Sequence, residues 1–140
     1  MTAQRPEEFE NLHPNFSVGD QFLYGVLVGA DWESAKVFEP RLPAEEPVVE
    51  CTALWRGHVR HYTLHADGRL ELRRYSYPFS DEDDQELSET LEGDFWLVFR
   101  PYFFGPDTRV PFVDGRVVLD KEKWHVEEAK YGPGGFFDPL

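Results

Sequence analysis

A chain of 140 residues is long enough for one domain that buries its own core without a disulfide or metal staple. Its 27 acids outnumber its 14 bases, and the net charge of −13 argues against nucleic-acid phosphates and anionic lipid as partners. Charged residues at 29% and hydrophobic residues at 41% mark a globular rather than a disordered chain, and the 16% aromatic share favours strands.

The first fifteen residues are polar and read as irregular. Strands are expected at Phe22–Val28 and Ala35–Phe38. Gln21–Ala30, the longest uncharged apolar-leaning run, has ten residues, about half of a membrane span. A further strand is expected at Val48–Trp55, with Val49, Cys51, Ala53 and Trp55 on one face. Cys51 is the only cysteine. With no apolar leader at the start, this composition predicts a soluble, cytoplasmic protein.

Between Arg56 and Arg74 lie five arginines, three histidines and only two acids. This segment reads as a hairpin. A three-residue loop, Ala66-Asp67-Gly68, sets Leu64 against Leu70 and Tyr62 against Leu72, so the apolar residues gather on one face. Gly68 then takes the left-handed position of a bulged turn. His61, Thr63, Glu71 and Arg73 form the opposite, wet face.

Asp81 to Asp94 holds eight acids and no base. The two oppositely charged segments are expected to lie near each other and pair. Asp83–Leu91 reads as a short helix with acids at its positive end. Asp94–Phe99 is apolar on both faces and reads as a central strand. Pro101 and Pro111 lack amide donors and mark strand ends, a bulge or an edge, and Gly105-Pro106-Asp107 is turn chemistry. A two-residue turn at Asp114-Gly115 sets Phe112 against Val117, whereas a three-residue loop sets it against Arg116. Asp120 reads as the cap of a helical turn through Lys121–Ala129, and residues 131–140 read as irregular.

The fold class implied is all-β or β-rich α+β. It is a single-domain antiparallel sandwich or partly open barrel of six to eight strands, with one or two short helices. The strands sit too close together for parallel crossover units.

Chemistry is sparse. On a strand His58 faces opposite to His61, while His61 and His65 stand about 13 Å apart at about 3.3 Å per residue. No zinc site follows from that spacing. Cys51 reads as a small buried hydrophobe, and the adjacent acids read as a solvated face. Arginines interleaved with Tyr62 and Tyr75 resemble a single-strand nucleic-acid platform, but the overall charge opposes it. No cofactor, metal or catalytic set is implied. Small size, acidity and cysteine poverty are similar to bacterial toxin-neutralising, immunity-type proteins.

Three functions follow as expectations. The first is a non-enzymatic module that binds a basic protein through Asp81, Glu82, Asp83, Asp84, Glu86 and Glu89. The second is a small-molecule binder with an aromatic cavity between sheets, lined by Trp96, Tyr102 and Phe104. The third is a hydrolase using Asp94, Glu50 or a hairpin histidine.

Overall fold

The computed structural model describes residues 6–38, 58–78, 83–101 and 105–127. The expected strand at Val48–Trp55, with Glu50 and Cys51, lies outside the described residues, as do Asp81, Glu82, Tyr102, Phe104 and the tail 131–140.

Two sheets pack face to face, with no closed barrel. One sheet has the order β1 (Glu8–Asn11), β4 (Val59–Leu64), β5 (Leu70–Ser76), β6 (Gln85–Thr90). The other runs β10 (His125–Glu127), β8 (Asp107–Val113), β7 (Phe95–Arg100), β2 (Phe22–Val28), β3 (Lys36–Val37), with β9 (Arg116–Val117) also on β8. The described strands already exceed the six to eight expected. Every pairing is antiparallel except that of β1 with β4.

Strand alternation supplies the layer between the sheets. Tyr62, Leu64, Leu70, Leu72 and Tyr75 face it from one sheet, and Leu23, Val26, Phe95, Leu97, Phe99, Val110 and Phe112 from the other, all within one buried cluster. Phe95 and Phe112, paired across β7 and β8, stack with centroids 4.4 Å apart. All six residues of β7 are buried, as expected for a strand covered on both faces.

Both hairpins have the expected registers. Leu64 pairs Leu70 and Tyr62 pairs Leu72, with Gly68 at φ 92°. Phe112 pairs Val117 around Asp114 (φ 50°) and Gly115 (φ 76°), the two positive φ angles of a primed turn. Pro101 directly follows β7, but Pro111 lies inside β8. Its carbonyl accepts from the Val118 amide. Its missing donor therefore faces the side of β8 where β10 has ended at Arg109 and β9 begins at Phe112.

Three expectations about local structure are corrected. Asp83–Leu91 is no helix: residues 85–90 form β6, with burial alternating strictly at period two. Nine residues are too few to hold a helix alone, while β5 offers a complete row of backbone partners. The first fifteen residues are not all irregular, because Glu8–Asn11 form β1 against β4. Asp120 does cap a turn, accepting from the Glu122 amide at 3.0 Å, but only the 3-10 turn Lys121–Lys123 follows. The chain then extends into β10. The Trp124 indole donates to the Val118 carbonyl at 2.8 Å, which holds this turn against the end of β9.

Candidate functional site

The outward face of the four-stranded sheet collects the charged residues of both oppositely charged segments. Its register builds two rows across all four strands. Glu8, His61, Arg74 and Glu86 are successive partners in one; Glu10, Thr63, Glu71 and Thr90 in the other. Between the rows the strands differ in length. β1 has Phe9 and β4 has Tyr62, β5 has Leu72 and the extra Arg73, and β6 has Glu89 and the extra Leu87 and Ser88. Such bulges bend a sheet and break its side-chain alternation. Leu72 and Tyr75 both stay in the core, which leaves two residues, Arg73 and Arg74, on the outside. The result is a half-open polar cleft of about 380 Å³. Its floor includes His61, Thr63, Arg73 and Arg74, and its walls are Glu8 and Glu10 on one side and Glu86 on the other.

Beside the cleft, Glu71 is tied twice. The Ser88 hydroxyl donates to Oε2 at 2.5 Å, and His65 Nε2 lies 2.7 Å from Oε1. These two hydrogen bonds hold the Glu71 carboxyl below its ordinary value, the bond from Ser88 contributing most. Thr63, assigned to a wet face from the sequence, is buried at 3% because β1 covers it, and it donates to Glu10 at 3.2 Å.

The acidic segment lies on the outermost strand of this sheet. Arg74 Nη2 is 3.0 Å from Glu86 Oε1, and Arg74 Nη1 is 3.9 Å from Asp84 Oδ2. The expected pairing between the two charged segments therefore rests on a single arginine among the described residues. Asp83, Glu89 and Glu92 form no ion pair with any described cation.

The three histidines separate. His58 is buried edge-on to Tyr75, with centroids 5.1 Å apart; His61 contacts the Ser76 hydroxyl at 2.7 Å; His65 contacts Glu71. Among the described residues no group of His, Cys, Asp and Glu is arranged to hold a metal. Asp94 is occupied at a turn, accepting from the Asp114 amide at 3.1 Å.

Trp96 does not face the layer between the sheets. Phe95, Leu97 and Phe99 face inward, so Trp96 packs on the opposite surface of β7 with Leu27, Val98, Trp32 and Ala35. That surface also holds a charged network that sequence reasoning missed. Arg100 forms an ion pair with Asp107, Nη2 donating to Oδ2 at 3.1 Å and Nε 2.7 Å from Oδ1, and both side chains are about 5% exposed. Arg109 continues it, 3.8 Å from Asp107 and 3.6 Å from Glu127, with its guanidinium 5.2 Å from the Trp32 ring centroid. The available signal was Arg100 following an apolar strand in phase with Trp96 and Val98.

Comparison with known protein families, curated proteins and solved structures returned no match. Among the described residues no helix is long and apolar enough to cross a membrane.

Proposed function

We propose that the protein is a non-enzymatic interaction module, of the immunity or inhibitor kind, whose acidic segment receives a basic protein partner. One observation carries this reading. Residues 85–90 of the acidic run form the last of the described strands of their sheet, the Glu86 side chain is 75% exposed, and Asp83, Glu89 and Glu92 form no ion pair among the described residues. Arg74 competes for Asp84 and Glu86, but exposed pairs of this kind are weak, about 0–1 kcal/mol, and an incoming lysine or arginine can replace them. A bulge at Leu87-Ser88 and charges along β6 oppose simple addition of another strand. The partner then reads side chains, and opposite charge speeds its approach.

A photo-cross-linker placed at Ser88, and a control at Val113 on the other sheet, tests this in cells. The expected product is a basic protein captured at Ser88 alone. Its association rate falls steeply with salt and is much reduced when Asp83, Asp84, Glu86 and Glu89 are changed to Asn or Gln. Equal capture by the neutralised variant, or an association rate indifferent to salt, overturns the reading.

A further inference from the structure

Arg73 is exposed and forms no hydrogen bond or ion pair with any described residue. Bonds from Ser88 and His65 already hold the Glu71 carboxyl below its ordinary value; the charge of Arg73 adds to this, but its guanidinium donors stay unbonded among the described residues. That exposure has a structural origin: the bulge that places Arg73 beside Arg74 on the outer face also opens the cleft in front of both. Two guanidinium groups side by side on the floor of a hollow form a fork suited to a carboxylate or phosphate. Across the floor, on β1, stand the acceptor-only carboxylates Glu8 and Glu10. β1 and β5 are separated by β4, so the two ends are two strand spacings apart, about 10 Å at the backbone.

We propose that this cleft binds a small elongated ligand with an anionic end, carboxylate or phosphate, held by Arg73 and Arg74, and hydroxyl or ammonium donors held by Glu8 and Glu10. The volume of about 380 Å³ lies within the usual range for small-molecule sites. Thr63 holds one Glu10 oxygen at 3.2 Å and so orients that carboxylate before a ligand arrives. His61 and its Ser76 contact stand between the two ends on the floor. The site shares Arg74 with the acidic segment, where it pairs with Glu86 and Asp84. Arg73, Glu8 and Glu10 take no part in the proposed partner contact, so variants at Arg73 test the cleft separately from that reading.

Three probes test it by NMR titration of the intact chain: glucose 6-phosphate, glycylglycine and inorganic phosphate. The expected result is saturable shifts for resonances of Arg73, Arg74, Glu8 and Glu10 with glucose 6-phosphate or glycylglycine, and binding at least about tenfold weaker with inorganic phosphate. Which elongated probe binds distinguishes hydroxyl from ammonium donors. Arg73→Gln removes no hydrogen bond or ion pair among the described residues, so with a circular dichroism spectrum and melt matching the parent it weakens binding by about tenfold or more. Glu89→Gln leaves binding unchanged. No saturable shift with either elongated probe overturns the proposal, as does binding that survives Arg73→Gln. Inorganic phosphate binding as tightly as glucose 6-phosphate overturns the role of the β1 carboxylates.

Discussion

Glu71 joins three segments through one carboxylate, because Ser88 of β6 and His65 before the hairpin turn both bond to it. Its depressed pKa links it to acid stability. A carboxyl whose folded pKa lies below the unfolded value stabilises at pH above the unfolded value, here 4.5. That contribution is lost as pH falls through the folded pKa. Ser88→Ala is therefore expected to be destabilising at neutral pH and to match the parent in strong acid. Thermal melts between neutral and low pH check this; a difference that persists in strong acid contradicts it. The tyrosines behave oppositely. Burial pushes Tyr75 from 10.0 up to about 12 and raises Tyr62 as well. Each is protonated in the fold at pH values where the unfolded chain has lost the proton, so stability falls as pH rises from about 10 to about 12. Phenolate absorbance from these two is expected to appear together with unfolding rather than as a separate step near 10.

Within elements, β7 carries the largest share of the packing. Leu97 is fully buried between the sheets, and Leu97→Ala is expected to cost about 2–5 kcal/mol in urea denaturation. On its other face, Arg100→Leu leaves the Asp107 carboxylate buried with Arg109, at 3.8 Å, as its one remaining cation among the described residues, at an expected cost of about 3–5 kcal/mol. Changing Asp107 to Leu in addition is expected to recover part of that loss; a double variant less stable than Arg100→Leu contradicts this account. At the β8–β9 turn, an added Cβ on Gly115 meets the Leu91 carbonyl oxygen at 3.2 Å, in a backbone conformation that disfavours side chains. Gly115→Ala is expected to cost about 1–2 kcal/mol. Both hairpin registers were legible in the sequence because one shift moves every apolar residue to the wrong face. β6 was not. Its apolar content is two leucines among acids, and a lone polar strand becomes stable only when a neighbour offers backbone partners.

For the whole molecule, both sheets feed one continuous core, so they are expected to unfold in a single transition by fluorescence and circular dichroism. A net charge of −13 makes the fold repel itself, and added salt screens that repulsion. The melting temperature is expected to rise with ionic strength, even as salt slows association with a basic partner. Opposite responses to one variable separate global electrostatics from those of the acidic strand.

The sequence by itself determined the β class, the two turn types and the buried centre at Phe95–Phe99, because these follow from local alternation and turn chemistry. It also supplied the acids and arginines of the outer face. Only the tertiary structure decided their arrangement. β1 reaches β4 across about fifty residues of chain, and no local pattern encodes that contact. The single-residue expansions at Arg73 and at Leu87-Ser88 arise from strands competing for register around a fixed core. That competition set two arginines side by side and opened the cleft between them and β1. On the other sheet, the burial of Phe95, Leu97 and Phe99 in the shared core put Trp96 and the Arg100–Asp107 pair on the opposite face of β7.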